Sequence, residues 1–215
     1  MNILALDTST EKFSLLIVKN NKIILNYSKI LKRAYSKQLI PIIKESLSKN
    51  KLRINKINSI FISLGPGSFT GIRIGIAAVK GISLPYKINV YGFNNMEILV
   101  NSISKNLKKK NVIILKSKKE DYYYQIFNSN KKPLKKISYF SLNNLPNFLF
   151  DKNVFLYGDL DKILLNEIKK KRKIEISKNI YSKTFLLFKQ LQNKLFFNKI
   201  LSLKPLYVYD HYAKK

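Results

Sequence analysis

Asp7-Thr8-Ser9-Thr10 sets one carboxylate beside three hydroxyls at the end of a short apolar run. Such a tetrad can hold a hydrated metal ion and hydrogen-bond phosphate oxygens. It can equally close into a hydroxyl-rich turn in which Asp7 bonds its own backbone. The second stretch with chemical promise is Leu64-Gly-Pro-Gly-Ser-Phe-Thr-Gly-Ile-Arg-Ile-Gly75 and its continuation to Gly81. Five of the chain's 7 glycines lie between Gly65 and Gly81. A chain that avoids glycine elsewhere and gathers it here needs close backbone approach or unusual dihedrals at this place. Gly65-Pro66-Gly67 predicts a tight turn after a strand. Ser68 is placed to cap the next helix by accepting from the Gly71 amide. A glycine turn feeding a helix N-terminus can cradle an anion. The run is neither a Walker A pattern, having no Gly-Lys-Ser/Thr, nor the dinucleotide fingerprint.

Along that helix Gly71, Gly75 and Ala78 form a stripe of small residues, with Ile72, Ile76 and Val79 beside it. Glycine inside a helix costs about 1 kcal/mol relative to alanine, so close packing must offset it. An internal helix contact and a subunit interface both satisfy that requirement.

The residues that are missing narrow the chemistry. With Cys 0 there is no disulfide, thiolate metal site or cysteine nucleophile. His211 is the one histidine, so no two-histidine metal site can form. It reads as an exposed tail residue rather than a triad base. No stretch is apolar for long enough to span a membrane. The N-terminus lacks a signal-peptide pattern, and a cytoplasmic location is expected.

The formal net charge is +29. That field suits a nucleic-acid partner. However, arginine occurs only at Arg33, Arg53, Arg73 and Arg172, whereas dedicated phosphate surfaces favour its bidentate fork. Lysine, asparagine and isoleucine share A/T-rich codons, so compositional bias also accounts for the charge.

The elements that position these groups follow from periodicity. Strands are expected at 2–7, 13–18 and 23–30, with Asn20-Asn21 as a hairpin turn. A helix is expected at 36–49, with Leu39, Ile40, Ile43 and Leu47 on its apolar face. Pro41 would kink it or lie in its first turn. A strand at 57–64, a helix at 69–84, a strand at 88–91 and a helix at 93–106 complete the first half. The second half carries strands at 112–116, 122–127, 134–140 and 154–158 and helices at 159–171 and 181–197. Hairpin strands followed by βα units imply mixed sheets flanked by helices. The expected domains are 1–107 and a smaller lobe at 108–215, with the last helix packing back on the first lobe.

Asp7-Thr8-Ser9-Thr10, the run Gly65 to Gly75 and the C-terminal Pro205-Leu206-Tyr207-Val208 together resemble the TsaB (YeaZ) family, which acts in tRNA threonylcarbamoyladenosine biosynthesis. The resemblance implies an α/β, actin-like/Hsp70-like ATPase (ASKHA) fold of two lobes, the second reduced. It departs from the family at Arg33-Ala34-Tyr35, where a histidine is frequent. It departs also at Lys116-Ser117-Lys118, which replaces an Asp-Ala-Arg opening, and at Tyr209, where arginine often stands.

The catalytic paralogue TsaD holds a metal through a histidine pair, which this chain cannot form. An ATP-using member also needs phosphate loops in both lobes, and one candidate is legible. The resemblance therefore implies a non-catalytic partner of TsaD, a dimerisation scaffold or activator working with the ATPase TsaE, while TsaD modifies adenosine 37 of tRNAs that read ANN codons. It implies no cofactor of its own, ATP and magnesium belonging to the partner proteins. Asp7, Thr8, Ser9 and Thr10 would be a vestigial nucleotide loop, and Gly65, Pro66, Gly67 and Ser68 a structural turn and cap. Leu39, Ile43, Leu47, Gly71, Arg73, Gly75 and Ala78 would face the partner, Arg73 at the rim or bridged internally to a carboxylate. Whether the free chain is a monomer or a homodimer through the same helices is left open, and contact with tRNA is expected to be weak or indirect. The alternatives are an ATPase or phosphotransferase built on Asp7, and a tRNA-binding module acting through lysines 105–119 and 131–136.

Overall fold

The computed structural model describes residues 1–31, 35–103, 108–118, 120–171, 175–178, 181–193 and 203–208. Two compact units result, one of Met1–Asn95 with Ser182–Tyr207, the other including Met96–Tyr181.

In the first unit, β1 (Ile3–Asp7), β2 (Lys12–Lys19), β3 (Lys22–Ile30), β4 (Ser59–Ser63) and β5 (Asn89–Phe93) form one sheet of order β3-β2-β1-β4-β5. The first three strands run antiparallel, and β4 and β5 join in parallel. Asn20 and Asn21 both take positive φ, the geometry of a type I′ hairpin. Every residue of β1 and β4 is buried, as expected for strands covered on both faces. β3 is the sheet edge and alternates less strictly, exposing Lys22 and Lys29. The helix α1 (Tyr35–Lys49) buries Leu39, Ile43 and Leu47. The helix α2 (Phe69–Ser83) buries Ile72, Ile76 and Val79 in the same core. Pro41 lies inside α1 and on its exposed side. There the proline costs the helix one amide hydrogen bond. The helix α3 (Asn95–Asn101) begins immediately after the sheet.

The second unit holds β6 (Lys110–Lys116), β7 (Asp121–Phe127), β8 (Ser138–Ser141), β9 (Val154–Gly158) and β10 (Glu175–Lys178), in the order β10-β9-β6-β7-β8. Again three strands run antiparallel and two join in parallel. The helix α4 (Lys162–Lys171) follows β9. Tyr122 stacks on Phe140 at 5.3 Å, beside Leu149, Leu156 and Leu164. The last described helix, α5 (Lys183–Gln192), belongs to the first unit.

Several expectations needed correction. The helix expected at 93–106 ends at Asn101, and the one expected at 159–171 begins at Lys162. The strand at 134–140 is confined to β8, because residue 133 is a proline that makes only an isolated bridge to Phe127. β10 was not anticipated, since Glu-Ile-Ser-Lys is too short and too charged to give a strand signal. His211, Tyr209, Arg172 and the Arg33-Ala34 pair lie outside the described residues. No helix among the described residues is long and apolar enough to cross a membrane.

Candidate functional site

β1 carries Asp7 into the interior, where one carboxylate oxygen turns back on the chain. Asp7 Oδ1 accepts from the Ser9 amide at 2.8 Å and from the Ser9 hydroxyl at 2.5 Å. Ser9 Oγ accepts in turn from Asn95 Nδ2 at 2.8 Å. The same amide group donates to the Pro66 carbonyl at 3.0 Å, and Asn95 Oδ1 accepts from Ser63 Oγ at 2.8 Å. A single buried network thus ties the carboxylate loop to the glycine turn and to the first residue of α3. The other Asp7 oxygen, Oδ2, lies 3.5 Å from Lys183 Nζ, and both side chains are buried. Thr8 Oγ1 is buried with no hydrogen-bond partner among the described residues. The Thr10 hydroxyl donates to the Lys12 carbonyl at 3.1 Å, and the Thr10 carbonyl accepts from Tyr35. Burial, aided by the nearby Asp7 and Glu11 charges, pushes the Tyr35 hydroxyl well above its ordinary pKa and keeps it a donor.

The glycine run closes over this loop. Ser68 Oγ accepts from the Gly71 amide at 3.2 Å, and the Ser68 amide donates to the Ser9 carbonyl at 2.6 Å. At Gly71 a Cβ would strike the Thr8 carbonyl oxygen, and at Gly75 it would strike Thr8 Oγ1. Both glycines therefore exist so that α2 can lie directly against the Asp7 loop. Gly65 has φ +99°, and the Gly65–Pro66 bond is cis.

These placements correct the expected partner seam. Leu39, Ile43 and Leu47 sit in the core of the first unit, and Gly71 and Gly75 lie under Thr8. Of the seven residues assigned to that seam, only Arg73 is exposed and Ala78 half-buried. The helical spacing was right, but it describes the inward face of each helix. Among the described residues Arg73 bridges to no carboxylate. Its Nε donates to Tyr207 Oη at 2.7 Å, and its guanidinium lies 3.7 Å over the Phe69 ring. The Leu206 amide donates to the Leu64 carbonyl at 2.8 Å, so Pro205-Leu206-Tyr207 is strapped to the glycine turn. Asn95 and Lys183 were missed. Asn95 had a faint signal as a polar residue between strand and helix patterns, and Lys183 had none.

In the second unit, Lys116 Nζ lies 2.8 Å from Asp161 Oδ2 and 2.9 Å from Tyr122 Oη. Burial pulls the Lys116 ammonium down, yet the hydrogen bonds with Asp161 and Tyr122 outweigh it and leave the pKa raised. Burial likewise pushes Asp161 up, and the bonds from Lys116, the Leu164 amide and Tyr122 bring it below the usual carboxylate value. Of the lysine segment 105–119, residues 105–107 and 119 lie outside the described set, and no cluster of metal-binding side chains occurs among the described residues.

Two mixed five-stranded sheets flanked by helices, with a buried acidic loop at the end of the first strand, define an actin-like ATPase fold. A Pseudomonas aeruginosa protein, described as uncharacterised with similarity to the peptidase YeaZ, superposes with a TM-score of 0.70 at 17% identity. The match covers 97% of this chain and 99% of that one. A Bacteroides thetaiotaomicron protein of actin-like ATPase fold and unknown function superposes at 0.55 and 14% identity, covering 87% and 95%. The family model "TsaD: tRNA N6-adenosine threonylcarbamoyltransferase" matches residues 23–136. The chain belongs to that family, and within it to the TsaB (YeaZ) group. The TsaB of Buchnera aphidicola subsp. Schizaphis graminum is 35% identical over 112 residues, which are 52% of this chain and 53% of that protein. The chain thus spans about half the length of the curated relatives it matches.

Proposed function

We propose that this chain is a non-catalytic partner of a TsaD transferase in forming N6-threonylcarbamoyladenosine at position 37 of tRNAs reading ANN codons. Membership of the TsaB group, in a sequence whose single histidine rules out a histidine metal pair, is the observation that carries this reading. The TsaE ATPase would join the assembled pair. ATP and magnesium would be held by those partners.

The docking face follows from which side of α2 is free. Arg73, Ala77, Gly81 and Leu84 succeed one another at four-, four- and three-residue spacing, and all are exposed. Leu84 is 80% exposed, and a Cβ on Gly81 would meet nothing within 4 Å among the described residues. On this ridge the small residues Ala77 and Gly81, between Arg73 and a bare leucine, let a partner helix approach closely. Without TsaD the same ridge would support a homodimer.

Co-purification of the full chain with the TsaD of the same organism tests the proposal. The wild-type chain should be retained, and Gly81→Arg should be lost from the complex while melting no lower than wild type. A wild-type chain that does not associate sinks the partner reading. Retention of Gly81→Arg sinks the proposed face alone.

A further inference from the structure

ATP and magnesium are the ligands that an actin-like ATPase fold brings to an acidic loop after its first strand. The donor set here does not fit them. Both oxygens of Asp7 are engaged, one by Ser9 and the other by Lys183. The Ser68 amide, at the start of α2, is turned onto the Ser9 carbonyl. The faces of Gly71 and Gly75 are filled by Thr8.

Lys183 is the unexpected member. It is the first residue of α5, and Ser182 caps that helix by accepting from the Phe185 amide at 3.2 Å. A cation at a helix N-terminus opposes the macrodipole. Burial of its ammonium is costly unless it is paired. Lys183 is nevertheless 6% exposed, with its ammonium directed at a carboxylate that is buried as well. Next to it Thr184 Oγ1 donates to Ser14 Oγ at 3.3 Å on β2, the strand paired with β1. Position and burial are thus both unfavourable for a lysine, and the Asp7 carboxylate is a partner that offsets them.

We propose that Lys183 is a built-in counter-ion. Its ammonium takes the place beside Asp7 that a hydrated divalent cation would need, and it closes the loop without nucleotide. α5 then acts as a covalently attached plug, whose first residue supplies the charge that magnesium would bring. A divalent cation could enter only by displacing that buried ammonium. The loop is therefore a structural joint between β1, α2, Asn95 and α5. This inference stands apart from the partner reading, since complex formation with TsaD bears on neither the pair nor the exclusion.

The test uses the full chain as wild type, Lys183→Met, Asp7→Asn and the double variant. Thermal melts report coupling, and Mn²⁺ and MgATP titrations report exclusion. Each single substitution strands one buried group and should lower the melting temperature by about 10 °C. The double variant should recover most of that loss. Wild type should show no Mn²⁺ or MgATP binding that depends on Asp7 at about 1 mM ligand, a level at which a functional site would raise the melting temperature. If neither single variant folds, a folded double variant is the same result in stronger form. The proposal is overturned if Lys183→Met melts with wild type, or if the double variant is no more stable than the worse single one. It is overturned equally if wild type binds Mn²⁺ or MgATP and Asp7→Asn abolishes that binding.

Discussion

At the end of β1 stands Asp7. At the end of β6, the strand with the same place in the second sheet, stands Lys116. Each is neutralised by a residue at the start of a helix, Lys183 for α5 and Asp161 for α4. Charge signs are reversed between the two units, and the surroundings differ more than the signs. Asp161 precedes its helix and accepts from the Leu164 amide at 2.9 Å, which agrees with the helix dipole. Its side chain and that of Lys116 are about one-third exposed. Lys183 opposes its helix dipole and is buried with Asp7. One topology thus carries two charge pairs, one that water can replace and one that it cannot.

The largest expected effect lies at the glycines that seat α2 on the Asp7 loop. The second unit has no equivalent, since α4 contains no glycine. Gly71→Leu should destabilise the first unit by about 3 kcal/mol or more, because the carbonyl that a Cβ would strike belongs to the backbone of the loop. Hydrogen exchange should accelerate in β1 and β4 while β6 and β9 keep their protection. If this variant folded normally and lost only its TsaD complex, the small-residue stripe would face outward after all.

Breaking the two ion pairs is the next contrast. Lys183→Met should cost about 3 kcal/mol in urea unfolding, as removal of one partner from a buried pair does. Lys116→Met should cost about 1 kcal/mol or less, because water can hydrate the freed Asp161. Equal losses would remove the distinction between the units.

The sequence displayed the first unit far better than its wiring. Asn20-Asn21, the Leu39-Ile43-Leu47 face and the Ser68 cap are local signals, read from spacing within one or two turns of chain. The two-sheet architecture could be reasoned from strands followed by βα units. The Asp7 loop was legible as a set of residue types, with its self-bonded form among the alternatives. What closes it was not legible. Asn95 reaches Ser9 across 86 residues, and Lys183 comes from the far end of the chain. Periodicity also cannot say which apolar face turns inward when two helices flank one sheet. The face assigned to a partner was therefore the one the sheet had taken.

Gly81→Ala separates the buried and exposed glycines of a single helix. Gly81 meets open space where Gly71 and Gly75 meet Thr8. Alanine there should stabilise the chain by about 0.5–1 kcal/mol through helix propensity alone, seen as a rise in the melting temperature. A loss instead would mean that the α2 ridge is covered within the folded chain.

The smallest expected effect is the pH and salt response of the Lys116–Tyr122–Asp161 cluster. Asp161 is depressed in the folded chain, so its contribution is complete above the unfolded carboxylate pKa of about 3.9 and is lost as pH falls through its lower folded value. Lys116 is raised, so its contribution is complete below the unfolded value of about 10.4 and disappears as pH climbs through its higher folded value. Burial, together with the Asp161 charge, keeps the Tyr122 hydroxyl protonated to higher pH than usual. Between these limits the pair should stabilise the second unit by roughly 0.5 kcal/mol, screened further by salt because both groups reach solvent. Amide exchange in β6 and β7 can be followed at low and at about 1 M salt, where the Debye length is about 3 Å. Protection there should fall slightly with salt, while β1 stays unchanged because water and ions do not reach Asp7. A salt response of equal size in β1 would mean that Lys183 and Asp7 are solvated, and the contrast between the two pairs would be lost.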